Sequence, residues 1–199
     1  MFIALAIILI LFIVVFVAFF IFLKRMTFET FKCLCERKVK TIARKNKLLV
    51  IERLNLLNYK REKLGINHVI FGKKYIYIIT DFLLKGFVSG EENDNSWVYF
   101  NTANKKKHYL SNLNKFSEQN IQEFSGILSI KPDLIVSICL VPNECDFKIK
   151  GTSTDQKVIV HYSSLARKIR RLEKQEIGSL NEEQIYEQFR TIKEKNSER

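Results

Sequence analysis

The chain has 199 residues, 47% of them hydrophobic, and its 33 Lys and Arg outnumber 21 Asp and Glu to give a formal net charge of +12. This composition excludes a disordered polar tail, and the length suits one globular domain with a sizeable core plus short extensions. The positive balance points to a polyanionic partner, either nucleic acid or the anionic leaflet of a membrane, although abundant Lys, Asn, Ile and Phe with only 2 Pro also fit an A/T-rich coding sequence.

The first element is the run Met1–Leu23, MFIALAIILILFIVVFVAFFIFL, which contains no charged residue and no Gly, Pro, Asn or Gln. As a helix rising about 1.5 Å per residue it spans about 34 Å, enough to cross a hydrocarbon core about 30 Å thick. No basic residue precedes it, whereas Lys24, Arg25, Lys32, Arg37, Lys38 and Lys40 follow. The positive-inside bias therefore predicts a single-pass anchor in the cell membrane, with residues 24–199 cytoplasmic. A cleaved signal peptide needs a basic start, a shorter apolar core and small residues at its end. This run has none of these.

From Thr27, a plausible N-cap, the apolar positions Phe28, Phe31, Cys35, Val39 and Ile42 step by three and four and predict an amphipathic helix. Leu48–Ile51 reads as a short strand. His68–Phe71 and Tyr75–Ile79, joined by Gly72-Lys73-Lys74, read as a hairpin whose second strand is covered on both faces. Gly86–Gly90 and the polar residues 91–96 read as a loop, Trp97–Phe100 as a strand, and 101–114 as a polar segment. A second helix is expected from about Ser117, its apolar face formed by Ile121, Phe124, Ile127 and Leu128. Ile135–Val141 and Lys157–His161 complete the strands. Ser163 or Ser164 then opens a helix that buries Leu165, Ile169 and Leu172. Finally, Asn181 and Gln184 form a capping box for a last helix with Ile185, Phe189 and Ile192 on its packing face. This order predicts an α/β fold in which a mixed sheet is flanked by helices, preceded by one transmembrane helix. The expected divisions are an anchor (1–23), a domain (24–177) and a C-terminal helix (178–199).

The four cysteines, Cys33, Cys35, Cys139 and Cys145, lack zinc-ligand spacing and read as reduced thiols. His108 and His161 stand alone. No metal or small-molecule cofactor is expected.

Several segments, in order, resemble the nuclease-related domain (NERD) family of the PD-(D/E)xK nuclease superfamily. Cys35-Glu36-Arg37-Lys38-Val39 resembles the family's Gly-Glu-x-x-Val, with the glycine replaced. Ile66-Asn67-His68 stands where the family has Ile-Asp-His. Ile79-Thr80-Asp81-Phe82 stands for Ile-Glu-x-Lys, and Gly86-Phe87-Val88-Ser89-Gly90 with Trp97 for Gly-x-Ile-x-Gly and its tryptophan. Lys115–Asn120 is similar to the family's Asn-Pro-x-x-Gln-Asn helix start, which places Gln119 and Asn120 where a helix dipole can meet a phosphate. The resemblance covers about residues 28–175 and implies a restriction-endonuclease-like fold.

It also implies where chemistry belongs. Acidic residues on the hairpin hold a divalent cation and a lysine orients the attacking water. Here the expected Asp, Glu and Lys are replaced by Asn67, Thr80 and Phe82, and Glu36 alone matches an acidic position. Asp81 follows Thr80 and is expected to face away from the cleft. The implied reading is a pseudoenzyme with a nucleic-acid-binding or scaffolding role at the inner membrane face. DNA, RNA or anionic lipid would be held by Lys105, Lys106 and Lys107 and by Arg167, Lys168, Arg170, Arg171 and Lys174. Two alternatives stand beside it. One is an active Mg²⁺-dependent nuclease with ligands recruited from Asp81, Glu91 or Glu92. The other is a membrane adaptor that docks a protein through the last helix.

Overall fold

The computed structural model describes residues 12–16, 27–58, 60–150, 157–175 and 180–197. The expected membrane span at 1–23 lies outside these apart from residues 12–16, which are helical; among the described residues no helix is long and apolar enough to cross a membrane. In chain order the elements are α1 (Phe28–Asn46), β1 (Leu49–Glu52), β2 (His68–Phe71), β3 (Ile76–Asp81), β4 (Gly86–Glu91), β5 (Ser96–Asn101), β6 (Lys106–Ser111), α2 (Leu113–Leu128), β7 (Ile135–Val141), β8 (Cys145–Lys150), β9 (Lys157–His161), α3 (Leu165–Leu172) and α4 (Glu182–Ser197). They build two mixed sheets flanked by helices.

The first sheet has the order β1-β2-β3-β7-β9, antiparallel from β1 to β3 and parallel from β3 onwards. Every residue of β3 and β7 is buried, which is why neither strand alternates in sequence. On one face Ile70, Tyr77, Ile79, Val136 and Ile138 pack beneath Phe31, Cys35, Val39 and Ile42 of α1 and Leu165, Ile169 and Leu172 of α3. On the other, Val69, Phe71, Ile76, Ile78 and Ile135 meet Ile121, Phe124 and Leu128 of α2 and Ile192 of α4. The Tyr77 hydroxyl donates to Glu173 at 2.6 Å, tying the sheet to the end of α3.

Helix ends follow the chemistry of their residues. Thr27 Oγ1 accepts the Thr30 amide at 3.2 Å, and Lys47 closes α1 in the left-handed region at φ 53°. Asn181 and Gln184 make the reciprocal bonds of a capping box, at 2.7 and 3.2 Å. Helix α4 turns its apolar face onto its own domain: Ile192 is fully buried and Phe189 meets Phe71 edge-on at 5.6 Å. The face on which an adaptor would dock is thus already covered.

The second sheet, β6-β5-β4-β8, departs from the sequence expectation. Gly86–Gly90 is strand β4, not a loop. Its glycines serve close approach: Gly86 has φ +133° and lies against the Phe100 carbonyl, while Gly90 lies beneath the Trp97 indole. Trp97 Nε1 donates to the Glu91 carbonyl at 2.8 Å and locks that packing. The polar 101–114 segment contains β6, an edge strand exposed along nearly its whole length, so it carries no hydrophobic period. Helix α2 begins at Leu113, four residues before the expected start, because Asn112 caps it by accepting the Asn114 amide at 2.8 Å and the Lys115 amide at 3.3 Å. Gln119 and Asn120 therefore sit in its second turn and not at its N-terminus.

Replacing Gly90 with Ala is expected to cost about 1–3 kcal/mol through overpacking against Trp97. Gly126→Ala, on the exposed side of α2 with open space around it, is expected to gain about 0.5–1 kcal/mol. Urea denaturation of the two variants checks the contrast in sign.

Candidate functional site

The hairpin β2–β3 pairs His68 with Ile79 and Ile70 with Tyr77, so His68, Tyr77, Ile79 and Asp81 share the face covered by α1. Asp81 thus points towards the helix that carries Glu36, opposite to the sequence expectation, and Thr80 points the other way. The Thr80 hydroxyl donates to the Gly65 carbonyl. Phe82, just beyond the strand, packs edge-on against Phe116 with ring centroids 5.5 Å apart. The four positions named from the sequence do not converge, because strand alternation splits them between two sides of the sheet.

What does come together is a buried pair. His68 Nε2 and Asp81 Oδ2 are 3.0 Å apart, and both side chains have 0% exposure. Asn67 fixes the arrangement from the side, its Oδ1 accepting the Asp81 backbone amide at 2.9 Å. Cys35 of α1 lies over the pair; burial, and then the Asp81 charge, push its thiol well above the ordinary range. Burial likewise pushes Cys139 and Cys145 up to about 12, so none of these three thiols is poised as a nucleophile.

Glu36 lies within reach of the His68 charge but is tied to another partner. Its carboxylate accepts from Arg53 Nε at 2.8 Å, and that bond holds it below the usual carboxylate range. Arg53 reaches it from a left-handed backbone position, φ 57°. The two border a small cavity of about 170 Å³ with Glu29, Lys32 and Cys33. A cleft of about 760 Å³ between residues 57–62 and α2 shares no residue with it.

A hard divalent cation requires several oxygens around one point, normally including one or two carboxylates. Asp81 Oδ1 and His68 Nδ1 are buried without a hydrogen-bond partner, but the neighbour that reaches Asp81 is the Cys35 thiol, while Glu36 is held by Arg53 and the Asn67 oxygen is taken by a backbone amide. Among the described residues no three His, Cys, Asp or Glu side chains come together as a metal group. The donor set does not fit the ion that the nuclease resemblance implies.

The basic residues form two separate patches. Lys105, Lys106 and Lys107 lie at the β5–β6 turn and the start of β6, on one edge of the second sheet. Arg167, Lys168, Arg170 and Arg171 lie on α3, with Lys174 just after it, beside the edge strand β9 of the first sheet. There Arg167, Lys168 and Arg171 line a shallow groove of about 260 Å³ with Val158, Val160 and Ser164. Lys168 is half-buried, and neither it nor Arg171 is free of partners within the chain. His161 accepts no catalytic role here: its Nε2 lies 2.5 Å from the Cys145 carbonyl, tying β9 to β8.

No family model, no curated protein and no solved structure matches the chain.

Removing one member of a fully buried pair strands the other, at a cost of about 3–5 kcal/mol. His68→Ala and Asp81→Ala are each expected to lose that much unfolding free energy. The apolar double variant His68→Leu/Asp81→Val is expected to lose far less than the sum. A double-mutant cycle in urea measures this, and a single-variant loss below about 1 kcal/mol contradicts the buried-pair account.

Proposed function

We propose that this chain is a single-pass membrane protein whose cytoplasmic domain is a nuclease-related fold without phosphodiesterase activity, and that it binds nucleic acid or scaffolds an assembly at the inner membrane face. The anchor rests on the uncharged run Met1–Leu23 and the basic residues that follow it. The nuclease-related reading is supported by the succession of a helix, an antiparallel β1–β2–β3 unit, a crossover through α2 and a parallel β7. It is supported again by the packing of Gly90 against the Trp97 indole, two residues the resemblance groups in one motif.

The observation that carries the loss of activity is the commitment of two of the candidate carboxylates, Asp81 and Glu36, while Glu91 lies at the end of β4 in the second sheet. Asp81 is sealed against His68 and Glu36 is paired with Arg53. Without clustered negative oxygens there is nothing to hold a cation against a scissile phosphate, and Phe82 cannot stabilise charge on the leaving group. The net charge of +12 then remains as the feature with a partner to explain.

The 199-residue chain, purified in detergent, is expected to leave supercoiled plasmid intact with either Mg²⁺ or Mn²⁺. It is expected to bind oligonucleotides with an affinity that drops at least tenfold between about 50 and 200 mM salt. Nicking that disappears in Glu36→Ala would restore the active-nuclease alternative. Absence of binding at the lower salt would remove the nucleic-acid role.

A further inference from the structure

The outward face of the second sheet is used neither by the buried pair nor by the α3 patch. Val88, Trp97, Tyr99 and Cys145 turn inward to a shared core. Period-two alternation therefore sends Phe87, Phe100 and Lys107 outward in one row across β4, β5 and β6. The Phe87 and Phe100 rings stack with centroids 5.3 Å apart and planes 27° from parallel. Phe87 is 40% exposed, and Tyr109, two residues beyond Lys107 on the same face of β6, is 77% exposed. The register puts Ser89, Ser96 and Ser111 on this face as well, with Lys148 and Lys150 of β8. Lys107, Lys148 and Lys150 are exposed and take part in no ion pair among the described residues. Asp146 and Glu91 are the acidic residues of the face, both on its β4–β8 side, whereas Lys105 and Lys106 add positive charge at the β5–β6 turn.

We infer that this face binds single-stranded nucleic acid. Bases stack on the Phe87–Phe100 pair and on Tyr109, and phosphates are held by Lys107, Lys148 and Lys150. An open sheet with exposed aromatic side chains offers flat surfaces that any base can cover, and lysines beside them supply sequence-independent attraction. The spacing selects the form of the ligand. Tyr109 lies diagonally from Phe100, about 7–8 Å away between Cα atoms, more than twice the roughly 3.4 Å step between stacked bases in a duplex. Only splayed bases of a single strand reach both platforms. A bilayer surface suits the face less well: Asp146 and Lys107 stand at the two ends of the Phe87–Phe100 row and Ser89, Ser96 and Ser111 lie to one side of it, which limits the apolar area to Phe87, Phe100, Val98 and Tyr109. The inference rests on the nucleic-acid reading above and adds to it a strand form and a surface.

The test uses the 199-residue chain in detergent, a fluorescent oligothymidylate of about 12 nucleotides, the matching duplex and phosphatidylserine vesicles. The single strand is expected to bind at least tenfold tighter than the duplex at about 50 mM salt. Its affinity is expected to fall roughly 20-fold by about 200 mM, the slope for three phosphate contacts on a single strand. Phe87→Ala and Tyr109→Ala are each expected to weaken binding by about 5- to 150-fold, with unchanged thermal unfolding. Tyr109→Phe, which keeps the stacking surface, is expected to bind like the parent. If the single strand binds but both alanine variants match the parent, this surface is wrong while the nucleic-acid role stands. Loss of binding in Arg167→Ala/Arg170→Ala, with the aromatic variants unaffected, moves the site to α3. No binding to either nucleic acid removes both proposals, and vesicle binding that depends on Tyr109 assigns the face to the membrane instead.

Discussion

Strand β3 is buried on both faces, and successive side chains of a strand point to opposite sides. Its last two residues are therefore sent to different compartments, Asp81 beneath α1 and Thr80 towards Gly65. From that constraint the rest of the candidate site follows. A carboxylate buried beneath a helix needs a partner, and the register of the β2–β3 hairpin supplies His68 on the same face. Asn67, one residue earlier, is left to hold the Asp81 backbone. Glu36, near the solvent end of the same region, is left to Arg53. Apart from Asp81 Oδ1 and His68 Nδ1, which lack a hydrogen-bond partner, these polar groups are satisfied locally, and the sum is a structural clasp between α1 and the hairpin.

The parts of the fold that were legible in the sequence are those where one physical signal dominates. The period of α1, the doubly covered strands β3 and β7 and the Asn181–Gln184 cap all lie where burial or capping dictates the residues. The second sheet was not legible for the opposite reason. Strand β6 is an exposed edge whose residues show no apolar alternation, and β4 carries two glycines that read as a turn, although they are there to admit Phe100 and Trp97. Phe87-x-Ser89 and Lys107-x-Tyr109 contain a period of two, but with one polar member at each step it falls below what hydrophobicity reports.

At the candidate site the nuclease resemblance implies an ion-binding set that lacks its Asp, Glu and Lys at Asn67, Thr80 and Phe82. The direction of Asp81 was not legible: alternation fixes only that Thr80 and Asp81 face opposite sides, and the β2–β3 register decides which of them faces α1. In three dimensions Asp81 occupies that side, and its burial with His68 keeps it from acting as a replacement ligand. In the proposed anchored form, Thr27 lies only four residues beyond Leu23, at most about 14 Å of extended chain. The domain would therefore work within a short reach of the bilayer.

The central claim is that the carboxylates near the hairpin hold the fold together and do not hold a cation. Its most direct test is titration of the chain with Mn²⁺, following the free ion by electron paramagnetic resonance. The account predicts no saturable site tighter than about 10⁻⁴ M. One saturable site tighter than that, lost in Asp81→Asn, would contradict it.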